Sequence, residues 1–247
     1  MRLGAKLPRG VYCKLARPNG WDFYSGDTIN YRDNIGGKVY APEPHGKTLC
    51  APGILHACKN PNDCFVGAKI PCAAFLVRGR SVANDGAKRG FHSLNILEEI
   101  ADLNTLFGWN YTEACNPIHP FRLAPPVITD QHKALLHIWD SVWDSVRASV
   151  GASVWASVGD SVGDSVWASV RDSVRASVWD SVRAYTGSLF SAIPKWKYIG
   201  HPPGVYPFQA ADDLWRMGLV PSFDGKTWRL HGGLDAKILY IRGPKES

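Results

Sequence analysis

Apolar residues gather in three strand-length windows near the start of the chain: Gly-Val-Tyr-Cys-Lys-Leu-Ala at 10–16, Gly-Lys-Val-Tyr-Ala at 37–41 and Cys-Ala-Ala-Phe-Leu-Val-Arg-Gly at 72–79. Turn-forming sequence separates them, as Arg-Pro-Asn-Gly, Pro-Glu-Pro-His-Gly and Asn-Pro-Asn-Asp, which predicts β-strands. Over 93–108 the spacing changes. Leu94, Ile96, Leu97, Ile100, Leu103 and Leu106 fall at helical intervals, and Gly108 stands where a helix would stop. These windows predict an α+β domain over residues 1–126.

Prolines at 117–126 forbid regular structure, after which Thr129 or Asp130 can cap a helix through Gln-His-Lys-Ala-Leu-Leu-His-Ile-Trp. That helix leads into a repeat, and together they make a second segment, 127–186. A third, 187–247, opens irregularly and then places Phe208, Ala211, Leu214 and Trp215 on one helical stripe ending at Gly218. Ser-Phe-Asp-Gly-Lys-Thr-Trp-Arg-Leu-His and Ala-Lys-Ile-Leu-Tyr-Ile read as strands, with Asp224-Gly225 as a two-residue hairpin turn. A small helix-plus-hairpin unit closes the chain.

The repeat runs from Trp139 to Val182 as eleven units of the form x-(Asp/Ala)-Ser-Val, followed by a degenerate Arg-Ala-Tyr-Thr. Position x takes only Trp, Arg or Gly. These three share codons that differ in the first base, as Asp and Ala differ in the second, so a tandem DNA expansion followed by drift is the expected origin. A site that exchanges Trp for Gly changes its buried side chain by on the order of 200 Å², which a close-packed interior does not absorb. Position x is therefore expected on the exposed or loosely packed side, and the invariant Ser and Val on the structural side.

A four-residue period turns about 40° per unit beyond a full circle of α-helix, so Val cannot hold one face of a straight helix for long. Four is also a multiple of the strand period. The Asp/Ala-Ser-Val triplet resembles the core of pentapeptide-repeat solenoids, with one residue fewer per unit. Helical flanks favour helix, broken at the glycine-rich middle around Gly159 and Gly163; a β-solenoid is the alternative.

The composition is 45% hydrophobic, enough for a real core, and no run of eighteen apolar residues occurs. No apolar stretch follows the basic first residues, so a soluble protein without a membrane partner is expected, located in the cytoplasm of a bacterium or a phage-infected host cell. Six cysteines in such a compartment are expected as thiols. Net charge is +6, with 16 Lys/Arg against 11 Asp/Glu in 1–138, 4 against 6 in 139–186 and 8 against 5 in 187–247. The basic flanks permit nucleic-acid binding. The acidic repeat argues against its five Trp and four Arg as a stacking surface for single strands.

Cys50, Cys58, Cys64 and Cys72, with His56 between the first two, form a candidate metal set, although no Cys-x2-Cys knuckle is present. Lys226, Trp228, Arg229 and His231 form a candidate binding surface on the last hairpin; an ordinary solvated hairpin around one buried Trp is the alternative. Alternation would put Lys226 and Trp228 opposite Arg229 and His231. Phosphate-binding glycine loops, zinc-protease motifs and nucleophile elbows are absent from the sequence.

Gly-Ile-Leu-His-Ala-Cys, followed by Asn-Pro-Asn-Asp-Cys-Phe, Ala-Ala-Phe-Leu-Val-Arg-Gly-Arg-Ser-Val, Lys-Arg-Gly-Phe and Leu-Glu-Glu-Ile, resembles an uncharacterised domain family of phages and bacteria marked by a Gly-Leu-His-Ala turn. The resemblance spans roughly residues 10–100, and Ile54 stands where Leu is usual. It implies a fold and the frequent company of low-complexity repeats, and no activity.

The expected function is that of a non-enzymatic accessory or interaction protein, its repeat acting as a spacer or self-association element. A second expectation is a nucleotide-handling enzyme centred on His56: a His after a Gly turn, with Tyr12, Tyr24 and Tyr40, resembles the strand residues by which ADP-ribosyltransferases hold NAD. Glu98 and Glu99 are the nearest acidic pair. Nucleic-acid binding through the basic flanks is the third.

Overall fold

The structure, a computed structural model, describes residues 3–154, 156–170 and 178–243. The chain is mixed α+β and divides into two compact units, Met1–Tyr111 and Thr112–Ser247. Against the three segments expected, the repeat and the closing helix and hairpin belong to one unit.

The first unit is built on a seven-stranded antiparallel sheet of β1 (Tyr12–Ala16), β2 (Lys38–Tyr40), β3 (Leu55–Cys58), β4 (Ala73–Arg78), β5 (Ser81–Asn84), β6 (Lys88–Phe91) and β7 (Ser93–Glu99). Its spatial order is β2-β7-β4-β1-β3-β6-β5. The three predicted strands are β1, β2 and β4. One sheet face carries the core of Tyr31, Val39, Leu55, Phe75, Val77, Phe91, Leu94 and Ile96. The opposite side of β1 and β3 takes the 3-10 segment Pro61–Val66, whose Phe65 packs edge-on against Phe107 at 5.1 Å.

The helix expected over 93–108 is a strand followed by a one-turn helix, α1 (Leu103–Phe107). Val77 pairs with Ile96 and Leu76 with Glu98, which leaves Leu97 unmatched in a bulge. An extra residue between two inward apolar positions makes period two imitate the spacing of a helix. Asp102 caps α1 by accepting the Thr105 amide, and Gly108 ends it at φ 73°, as the glycine predicted.

The second unit begins at α2 (Tyr111–Cys115), which starts on the boundary, and continues with α3 (Asp130–Asp140), α4 (Val146–Ser153), α5 (Ala156–Val170), α6 (Trp179–Ser188) and α7 (Gln209–Arg216). A three-stranded sheet closes it, ordered β10 (Lys237–Arg242), β9 (Trp228–Gly232), β8 (Val220–Phe223). Thr129 caps α3 in a reciprocal box with His132. Phe208, Ala211, Leu214 and Trp215 are all fully buried. The last hairpin turns one residue later than expected. The Asp224 amide bonds to the Thr227 carbonyl, so Gly225, at φ 94°, and Lys226 occupy its centre.

The described repeat residues hold helices and turns and no strand, in place of a solenoid. One long helix is absent too: the run is cut at Ser141–Val142, at a 3-10 turn Trp143–Ser145, and at Val154, whose backbone is extended. The expected break at Gly159 and Gly163 does not occur, since α5 runs through both. Val158, Val162 and Val166 are 0% exposed. Their drift over two steps is about 80°, within the apolar stripe of one helix. Val146, Val150, Val154, Val178 and Val182 are buried as well, each worth roughly 1.5–2 kcal/mol relative to exposure. Among the described residues no helix is long and apolar enough to cross a membrane.

Candidate functional site

His56 lies on β3 behind a tight loop. Gly53, at φ 74°, is where the loop folds onto itself: a Cβ there would meet the Pro44 carbonyl at 2.3 Å. Cys50 also takes a left-handed φ of 63°, and its amide donates to His56 Nε2 at 3.0 Å. Burial, joined by the charges of Lys88 and Lys14, pushes the imidazole down to about 4. His56 is therefore a neutral acceptor that clamps the loop. The residues expected around it are elsewhere. Tyr12 packs on Phe91 at 5.1 Å in the core face, which alternation sets opposite His56. Tyr40 and the Glu98–Glu99 pair sit on β2 and β7, four and three strands from β3. Glu99 is paired with Arg32, and the exposed Tyr24 donates its hydroxyl to the Gly67 carbonyl.

The four candidate thiols are dispersed. Cys50 is exposed with its sulfur 3.5 Å from Lys88 Nζ, and the Cys72 amide donates to the Tyr111 hydroxyl at 2.7 Å. Cys58 and Cys64 do meet, together with Cys13, which is Cys58's partner across β1 and β3. Cys64 Sγ donates to the Cys13 carbonyl at 3.2 Å. The bond to Cys64 and burial hold the Cys58 thiol well above its ordinary range. The bond with Cys13 and burial raise the Cys64 thiol as well, so Cys58 and Cys64 are protonated packing groups. All six cysteines are free, and among the described residues no group of three or more His, Cys, Asp or Glu is arranged to hold a metal ion. Sequence reading also missed a buried charge cluster beside them. Lys14 Nζ lies 2.6 Å from Asp22, whose carboxylate also accepts the Tyr31 hydroxyl at 2.9 Å.

The hairpin candidates separate by function. Trp228 is only 5% exposed, stacked on Phe223 at 4.8 Å, with its indole N–H donated to Asp140 at 2.8 Å. It is core, which corrects its place on a binding surface. Arg229 pairs with Asp224 at 2.7 Å, and His231 lies between the Ser222 hydroxyl at 2.8 Å and the Ala236 carbonyl at 3.0 Å. Lys226 is exposed in the turn.

An open cavity of about 530 Å³ in the second unit is lined by Trp143, Asp144, Arg147, Trp179, Asp180 and Arg183. All six come from the first two positions of repeat units. They belong to two copies of one pentapeptide, Trp-Asp-Ser-Val-Arg, at 143–147 and 179–183. Within each copy the fourth residue, Val146 or Val182, is buried at 0% or 1%, while Asp144, Arg147 and Trp179 are exposed and Trp143, Asp180 and Arg183 half-buried. Trp143 reaches the cavity from the 3-10 turn before α4, resting on Phe223 at 5.4 Å and Trp228 at 5.8 Å. Trp179 opens α6, is 39% exposed and stacks on Trp167 at 3.9 Å. Arg183 bonds Asp180 at 2.8 Å and lies 5.8 Å from the Trp179 ring. Comparing neighbouring units, rather than counting them, would have exposed this duplication in the sequence. Of the repeat's other Trp and Arg residues, Trp155, Arg171 and Arg175 lie outside the described residues.

A second polar cluster in this unit is closed on itself. Tyr185 donates to Glu113 at 2.7 Å, Arg216 bridges Glu113 and Asp212 at 2.7 and 3.0 Å, and Ser188 donates to Asp212 at 2.8 Å. Compared with models of protein families, with curated proteins and with solved structures, the chain finds no match.

Proposed function

We propose that this is a non-enzymatic accessory or interaction protein, of the phage- or bacterium-associated kind its Gly-Ile-Leu-His-Ala stretch resembles. Its recognition face is formed by the first two positions of the repeat at 143–147 and 179–183. The observation that carries this reading is the partition of the repeat. From Val146 onward every repeat Val with a described side chain is buried, while Trp, Asp and Arg from positions one and two at 143–147 and 179–183 line an open cavity; Trp139, in position one of the first unit, is itself buried, against the expectation for that position. Trp and Arg are the residues that most often dominate binding energy at protein interfaces. An element whose valines fill the core of its own unit is better suited to presenting a surface than to spacing two flanks. His56, neutral and engaged by the Cys50 amide, lends no support to an enzyme.

Hydroxyl-radical footprinting of the intact protein tests the proposal. Trp143 and Trp179 oxidise measurably in dilute pure solution and become further protected in an extract of the cells the protein comes from, while Tyr40 is oxidised equally in both. Equal oxidation of the two indoles in every condition, concentrated pure protein included, overturns it.

A further inference from the structure

The two copies of Trp-Asp-Ser-Val-Arg are identical in sequence and different in electrostatic state. In 179–183 the charges are satisfied internally: Arg183 pairs with Asp180 at 2.8 Å and caps the Trp179 face. In 143–147 they are not. Among the described residues Asp144 accepts only the Ser145 hydroxyl, at 3.3 Å, and Arg147 has no ion pair or hydrogen bond; both are exposed. The same i,i+3 pairing that 179–183 makes is thus unmade in 143–147, beside the same cavity.

From this we infer that the cavity face is a two-fold interface between copies of this chain, in which Asp144 and Arg147 of one copy pair with Arg147 and Asp144 of the other. The inference rests on the reading of the repeat as a recognition face and names its partner. An isologous interface requires a surface complementary to itself. One unpaired anion and one unpaired cation a helical turn apart meet that requirement, because a two-fold axis carries each onto the other's opposite. The lining as a whole holds two Asp and two Arg, so it offers no net charge to a polyanion. Its indoles supply the apolar ground on which such pairs are strengthened by exclusion of water.

Sedimentation velocity of the full chain from about 1 to 200 µM, a span that brackets typical weak self-association, tests this. The wild type forms a concentration-dependent dimer. Arg147→Glu and Asp144→Lys each sediment as monomers where the wild type is dimeric, with at least about tenfold weaker association. An equimolar mixture of the two variants recovers the dimer, since the glutamate introduced in one chain then faces the lysine introduced in the other, and the native Arg147 and Asp144 that remain face each other. The double variant dimerises with itself for the same reason. Should either charge reversal unfold the chain by circular dichroism, Arg147→Gln and Asp144→Asn replace them, both expected to weaken the dimer without repulsion. A wild type monomeric throughout, single reversals without effect, or a mixture that fails to recover the dimer overturns the inference. A monomer whose Trp143 and Trp179 are nonetheless protected in extract refutes the second copy as occupant and leaves the recognition face standing.

Discussion

Replacing Gly163 by Ala separates a continuous α5 from a helix that breaks at its glycines. A glycine inside a helix is about 0.8–1 kcal/mol less favourable than alanine, because it gives up more backbone freedom on folding. The gain is realised only if the new methyl has room and the backbone is already helical. At Gly163 a Cβ meets no heavy atom within 4 Å, and neither Gly159 nor Gly163 has a positive φ. Gly163→Ala should therefore stabilise the second unit by about 0.8–1 kcal/mol, raising its melting temperature by roughly 2–4 °C. At Gly159 the Cβ would stand 3.3 Å from Val154 Cγ1, so part of the gain is lost in the contact and about 0–0.5 kcal/mol is expected. Gly163→Pro removes an amide from the middle of the helix and should cost about 3 kcal/mol or more. Urea denaturation followed by far-ultraviolet circular dichroism, extrapolated linearly, measures all three. A destabilising Gly163→Ala together with a neutral Gly163→Pro would refute the continuous helix.

Three further outcomes follow from the same structure. Val162→Ala, at a site with 0% exposure, should cost about 2–3 kcal/mol, whereas the exposed Asp164→Ala should change stability by no more than about 0.5 kcal/mol; the reverse order in denaturant would undo the assignment of structural and displayed positions. Asp22→Asn strands the buried Lys14 ammonium and should cost roughly 3–5 kcal/mol. Burial alone would raise Asp22, but Lys14 and the Tyr24 amide hold it down to about 2, so its contribution is complete above its unfolded value near 4 and is lost as pH falls through about 2. Acid titration of the Asn variant should lack that step. His56, folded at about 4 against about 6.5 unfolded, makes the unfolded chain the stronger proton binder between those values, so stability declines as pH falls from about 6.5 to 4. His56→Gln, which can still accept the Cys50 amide, should abolish that slope, and an unchanged slope would place the proton elsewhere.

The sequence made legible whatever one local rule governs. Thr129 as a cap, Gly108 and Gly218 as stops and the stripe from Phe208 to Trp215 need only hydrogen-bond geometry and the helical period. Illegible were features set by partners distant in the chain. The Leu97 bulge exists because β4 fixes the register of β7, and no window over 93–108 contains that information. Trp228 reads either as part of a binding face or as the one buried Trp of a solvated hairpin, and only Phe223 and Trp143, which pack on it, decide for the second. The thiols at 50, 58, 64 and 72 were grouped by nearness in sequence, whereas the cluster that forms recruits Cys13 across the ladder and leaves Cys50 and Cys72 out. The cavity is an intermediate case, since its duplicated pentapeptide was visible and only its convergence was not.

The breaks in the repeat follow from its period. Each unit advances the Val direction by about 40°, so an unbroken helix through eleven units would carry Val through more than a full circle and expose about half of them. Short helices reset the phase. Val158, Val162 and Val166 of α5 stay buried over about 80°, a drift that one apolar face can hold. Helix length within the repeat is thus limited by phase rather than by glycine, which is why α4 ends at the extended Val154, after Val146 and Val150, while Gly159 and Gly163 remain helical. Those resets also return Trp-Asp-Ser-Val-Arg to the surface twice in different surroundings. One copy closes its own ion pair and the other leaves it open, a difference the repeat sequence alone does not contain.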